Sequence, residues 1–324
     1  MRQPRTTFTA RSSEDLVALA PQVLGFHPAD SVVLMTFGGG ENFHARVDLP
    51  DGEDDQLAVV DMLRTVIARH RVRQVALLLY TDDPWAAATF HDAVVPRLQG
   101  DGVEVVDVLR VADGRFHDAG EPDDPGRPYD FRAHRFTAEQ VVRGRVVHDS
   151  REQLAAGLRL VDAGDALAVA EAAARADLDH EPAEHGRWIQ RTVRRHLRTG
   201  RRLRADDAGR LLLLVSAPAL RDVAWAEISR HFAAAHVELW RDLVRRCPPD
   251  LLPAASSLLA FAAWLHGDGA LAWCALDRCD EVDPDYAMAA CVRDLLDGAV
   301  PPSAWTPITQ GDLIVFWPQG PDAS

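Results

Sequence analysis

The sequence predicts a mixed α+β protein: an N-terminal α/β half built on a mixed sheet, followed by an all-α C-terminal half. Three observations predict it. Two continuous apolar runs, "SVVLMTF" (31–37) and "QVALLLY" (74–80), read as strands buried on both faces. Segments of helical period precede and separate them. Past residue 136 the strand signals stop and helical periods run almost to the end, and seven of the eight tryptophans lie beyond residue 187.

The elements follow in order. "SSEDLVALA" opens a helix, with Ser12 or Ser13 as its cap and acids in the first turn. After the strand at 31–37, "GGGEN" (38–42) turns the chain, and "FHARVDL" (43–49) alternates as a half-buried return strand. A helix over 54–71 gathers Val60, Leu63 and Ile67 on one face, with acids at its start and arginines at its end, as the helix dipole favours. The strand at 74–80 leads to a helix from Pro84, bent or ended near Pro96, and then to a strand over 102–111. Residues 112–134 are rich in Gly, Pro and Asp and read as a long, solvated, mobile loop. Helices are expected at 137–143, 150–160, 164–177, 183–199, 206–216, 219–232, 235–246, 254–266, 269–281 and 285–297. The composition change places a domain boundary near residue 150, giving domains at 1–150 and 151–324.

Composition excludes several chemistries. The net charge is −14, and all 35 cationic residues are arginines. Without lysine there is no Schiff base, no P-loop of the usual form and no S-x-x-K nucleophile site. Both halves are acidic, with 24 acids against 16 arginines in residues 1–150 and 25 against 19 in the remainder, which disfavours nucleic acid as a partner. Cys247, Cys274, Cys279 and Cys291 form no C-x-x-C and read as reduced thiols, so no metal and no cofactor is expected. The chain starts without a signal-like segment, and its longest apolar run, 258–265, falls far short of a membrane span, so a cytoplasmic protein is expected.

Two stretches carry a family resemblance: "SSEDLVALAPQVLGFHPADSVVLM" (12–35) with "RVDLP" (46–50), and "LLAFAAWLHGDGALAWCALDRCDEVDPDYAMA" (258–289) with "VPPSAW" (300–305). Together they resemble the actinobacterial domain-of-unknown-function family 4192. That resemblance implies an architecture and an origin and brings no activity or site residues. Within it, "GDGALAWCALDRCDEVDP" (267–284) is similar to half of a tetratricopeptide unit, a repeat-like hairpin inside 254–297.

Several clusters compete for a site. In "GFHPADS", His27, Asp30 and Ser31 offer a base, a carboxylate and a nucleophile; as a junction, Gly25 ends a helix, Pro28 extends His27, and Asp30 with Ser31 satisfies turn amides. In "YTDDPW", Asp83 suits a helix cap before Pro84, which leaves Asp82 as a possible Mg²⁺ ligand at a strand end. "HEPAEH" (180–185) fails both zincin patterns, because glutamates stand at positions 181 and 184 where histidines are needed. "RWIQRTVRRHLRTGRRLR" (187–204) sets Arg187, Arg191, Arg194 and Arg198 along one helix opposite an apolar face. Those arginines either pair with the half's own acids or dock an acidic protein or a small anionic ligand. The expectation is a non-catalytic interaction or regulatory scaffold. The alternative is a metal-assisted hydrolase or phosphoryl-processing enzyme at the strand ends, using Asp82, His27, Asp30 and Ser31.

Overall fold

The computed structural model describes residues 9–38, 43–142, 147–159 and 162–317. The "GGGEN" turn beyond Gly38 and the last residues of the helices expected at 137–143 and 150–160 lie outside them. The chain divides into two compact units, with the division between Gln153 and Leu154.

The first unit carries α1 (Ser13–Leu24), β1 (Ser31–Phe37), β2 (His44–Asp48), α2 (Glu53–Arg69), β3 (Gln74–Tyr80), α3 (Pro84–Gly100) and β4 (Glu104–Ala112). Two short strands follow, β5 (Arg115–Asp118) and β6 (Arg127–Pro128), then α4 (Arg135–Val142) and the start of α5 (Arg151–Ala156). The strands form one sheet in the order β2-β1-β3-β4-β5-β6. Only the β3–β4 pair is parallel, because α3 provides the crossover; every other pair is antiparallel. Side chains alternate across this sheet. Val32, Leu34, Leu77 and Leu79 pack with Leu63 and Ile67 of α2 and Phe90 and Leu98 of α3 in one core. Burial of each such side chain stabilises the unit by about 1.5–3 kcal/mol. Asp107 of β4 points to the opposite face, where its carboxylate accepts a 2.6 Å bond from the Ser13 hydroxyl of α1.

Two expectations need correction. Pro96 does not end its helix: α3 continues to Gly100, and the Arg97 guanidinium bonds the Ala93 carbonyl at 2.7 Å near the position where the proline donates nothing. Residues 112–134 are not one solvated loop. Asp113 and Gly114 both sit at positive φ (50° and 68°), the geometry of a two-residue hairpin turn, and β5 and β6 extend the sheet. The Asp124 carboxylate then accepts the backbone N–H groups of Asp118 (2.7 Å) and Gly126 (3.1 Å), and those bonds hold its pKa below the usual carboxylate value. His134 and Arg135 close the segment on Asp15 of α1, at 3.1 and 2.8 Å.

The second unit is helical: α6 (Ala163–Ala174), α7 (Pro182–Thr199), α8 (Ala205–Ser216), α9 (Pro218–Ala226), α10 (Ala233–Val244), α11 (Leu252–His266), α12 (Gly269–Asp280) and α13 (Ala287–Asp297). Short 3-10 turns come after them, including Ile314–Phe316. Helix α11 is buried on all sides from Leu252 to Leu265, so it is the centre of this unit, with α10, α12 and α13 against it. Gly267 ends α11 at φ 89°, and the Asp268 carboxylate caps α12 by accepting the Leu271 N–H at 2.9 Å. Ala272, Ala275 and Leu276 point inward and are fully buried. Among the described residues no helix is long and apolar enough to cross a membrane.

Candidate functional site

The strand-end residues are close in sequence, yet each is committed to local structure. His27 donates its backbone N–H to the His148 carbonyl (2.9 Å) and sets its ring edge-on to Phe131, with centroids 4.5 Å apart. Burial lowers its pKa; Asp149 opposes that shift and Arg132 adds to it. Asp30 is exposed at φ 43°, and its carbonyl accepts the Leu49 N–H at 3.0 Å. Ser31 is the first residue of β1, fully buried, with a hydroxyl that has no partner among the described residues. No hydrogen bond joins His27, Asp30 and Ser31 through their side chains among the described residues, so the nucleophile–base contact of an activated serine is missing.

Asp83 is the cap of α3, accepting the N–H groups of Trp85 (2.8 Å) and Ala86 (3.2 Å). Asp82 is exposed beside it and makes no side-chain bond among the described residues. No group of three His, Cys, Asp or Glu residues that could hold a metal ion occurs among the described residues. In "HEPAEH", His180 sits 3.5 Å from both Asp177 and Glu184, while His185 is buried against the Leu178 carbonyl.

Helix α7 is different. Pro182 fits its first turn, where a missing N–H costs nothing, and Gly200 closes it at φ 62°. Ile189, Thr192, Val193 and His196 form the buried face. Arg187, Arg191, Arg194 and Arg198 are spaced by four, three and four residues, which places them in one exposed stripe. The stripe is not uniform. Arg194 makes a fork of two 2.7 Å bonds to Glu227, whose side chain is only 11% exposed, and that hydrogen bonding raises the Arg194 pKa. Beside the stripe, Arg195 pairs with Asp207 at 2.6 Å, and the Arg210 guanidinium lies 4.5 Å over the Trp188 ring. Arg187, Arg191 and Arg198 have no acidic partner among the described residues. Of the two alternatives raised by the sequence, internal pairing holds for Arg194; Arg187, Arg191 and Arg198 form no such pair among the described residues.

A groove of about 420 Å³ runs between these side chains, lined by Trp188, Arg191, Thr192, Arg194, Arg195 and Arg198. A second hollow of about 220 Å³ lies at the start of the helix, where Pro182, Ala183 and Arg187 face Val315, Phe316 and Trp317. Sequence reasoning missed this C-terminal contribution. Its signal was Gly186, a glycine in a helix interior, where it costs roughly 1 kcal/mol relative to alanine and calls for a packing reason.

Fold and site together define the class: a two-unit α+β protein with a cationic helix face in its helical unit. Comparison with family models is more specific. The chain belongs to the family described as "Domain of unknown function (DUF4192)", whose model matches residues 14–303. Comparison with curated proteins finds no match, and comparison with solved structures finds none either.

Proposed function

We propose that this protein is a non-catalytic interaction or regulatory protein whose α7 stripe docks an acidic protein segment. One observation carries the reading: three arginines in a single exposed stripe lack acidic partners among the described residues, in a chain with 14 more acidic than basic groups. In a chain so rich in carboxylates, an arginine with an internal partner within reach is expected to take it, as Arg194, Arg195 and Arg202 do. Guanidiniums left open along one line suit carboxylates supplied from outside, two oxygens to one fork. The net charge argues against nucleic acid. Four cysteines that form no disulfide among the described residues, two of them buried, suit a reducing, cytoplasmic setting, and the all-arginine composition suits an actinobacterial, GC-rich source.

The test is fluorescence anisotropy of a labelled glutamate-rich peptide titrated with the full chain. Binding weakened at least tenfold in Arg187→Ala/Arg191→Ala/Arg198→Ala, and weakened by added salt, supports the reading. Equal binding by wild type and triple variant overturns it. The metal-assisted alternative gains no support, since it needs ligands gathered around Asp82 and the described residues supply no such group.

A further inference from the structure

We infer that the docking partner is a short extended acidic segment, about seven residues long, that seats one bulky apolar side chain between Pro182, Ala183 and Trp317. This inference rests on the α7 reading above and specifies its partner. The larger groove has all six of its lining residues on α7. One helix gives a floor and two rows of side chains and no opposing wall, so it cannot enclose the 70–90% of a small ligand's surface that a small-molecule site covers. A chain laid along the helix needs no such wall.

The second hollow is built differently. Two separate segments face each other there, and its volume of about 220 Å³ is below the roughly 300 Å³ at which sites for drug-sized ligands begin. Its walls combine Pro182, Ala183, Val315, Phe316 and Trp317 with Glu181, Arg187 and Gln310, and Trp317 and Ile314 beside it are each 55% exposed. Exposed aromatic surface next to an open arginine has the composition of an interface core. Arg187 lines this hollow, while Arg191 and Arg198 line the larger groove, so the charge stripe links the two.

Glu181 fixes the order of the partner's residues. It lines this mixed hollow, and Glu184 is exposed on the same turn, so a carboxylate is disfavoured at the end beyond Arg187. The partner's apolar residue therefore lies near Pro182 and its acids extend towards Arg198. From Pro182 to Arg198 the helix rises about 24 Å at 1.5 Å per residue, a span that about seven extended residues cover. A single-stranded nucleic acid would look to Trp188 for stacking, but Arg210 already covers that ring.

The experiment measures anisotropy with three labelled probes on the full chain. They are a heptapeptide of glutamates with one terminal phenylalanine, the same peptide with serine replacing phenylalanine, and a single-stranded oligonucleotide of equal charge. Wild type is expected to bind the phenylalanine peptide at least tenfold more tightly than the serine peptide. That advantage should vanish in Trp317→Ala and in Ala183→Asp, the second of which places an acid where a helix start tolerates it. Arg191→Ala/Arg198→Ala should weaken both peptides alike. If wild type binds both peptides equally, or if either natively folded hollow variant keeps the advantage, the inference fails while the arginine reading stands. If neither peptide binds, or the oligonucleotide binds more tightly than both, the arginine reading fails and takes the inference with it.

Discussion

A Cβ atom placed on Gly186 would lie 2.8 Å from the Phe316 Cζ and 2.9 Å from a Val315 methyl. The bare backbone of α7 at this point is what lets the Ile314–Phe316 turn rest against the helix. Gly186→Ala gains helix propensity and loses this seat. The expected net effect is a destabilisation of about 1–3 kcal/mol, the usual range for overpacking, with easier proteolysis near Trp317. Urea unfolding and a timed protease digest check it; a variant with wild-type midpoint and digestion pattern would refute the packing account.

The stripe arginines should separate by stability. Arg194→Ala leaves Glu227, 11% exposed, without its fork partner. Because Arg194 itself is more than half exposed, the loss is expected to be about 1–2 kcal/mol, well under that for a fully buried pair. Arg191→Ala and Arg198→Ala should stay within about 0.5 kcal/mol of wild type. Thermal unfolding of the three variants measures the contrast, and equal effects would contradict the assignment of Arg194 to internal pairing.

Acid should weaken the helical unit through His236. This side chain is fully buried, bonds the Glu227 carbonyl through Nε2 at 2.9 Å, and has its pKa lowered to about 4, chiefly by burial. The unfolded chain takes up a proton near pH 6.5, and the folded chain resists until about pH 4. The unfolded state thus binds more protons in that window, and stability falls as pH drops from about 6.5 towards 4. The loss is on the order of 3 kcal/mol at most. Urea titrations at pH 7 and pH 4.5 should show the loss in wild type and a smaller one in His236→Gln, where His44, its pKa likewise lowered to about 4 by burial, keeps its own share. A pH-independent midpoint in wild type would refute it.

The hydroxyls of Ser31 and Tyr80 should prove dispensable. The two residues face each other across β1 and β3, both are buried, and neither hydroxyl has a partner among the described residues. Burial also raises the Tyr80 pKa. Removing a buried, unpaired polar atom is neutral or stabilising. Tyr80→Phe and Ser31→Ala are therefore expected to match or exceed wild-type stability by up to about 1 kcal/mol. A loss above that size in both, with strong coupling in the double variant, would mean that a bridging group satisfies them.

What could be read from the sequence divides by locality. The spans of β1 and β3 emerge to the residue from unbroken apolar runs, and α7 emerges from Pro182, its period and Gly200. Asp83 as a cap is equally local. The β4–β5 hairpin had a signal in Asp113-Gly114, but β5 has four residues and β6 two, and their order depends on Asp124 reaching the backbone of Asp118 and Gly126. Such bonds leave no periodic trace. Of the site, the stripe itself was visible, because it depends only on spacing along one helix. Which arginines stay open was not, because Glu227 and Asp207 are brought to α7 by tertiary packing. The second hollow joins residues far apart in the chain and was visible only as an unexplained Gly186.

The outermost strand on one side of the sheet is β6, two residues long, and one of them is Pro128. Proline offers no N–H, so a stray polypeptide arriving at that border finds no row of donors to zip onto. The opposite border is β2, five residues long, where Arg46 and Asp48 pair with each other on the sheet face. Charged side chains there make an added strand unwelcome by a different means. A sheet finished in this way stays at six strands, and self-templated growth into aggregates is guarded against at both margins.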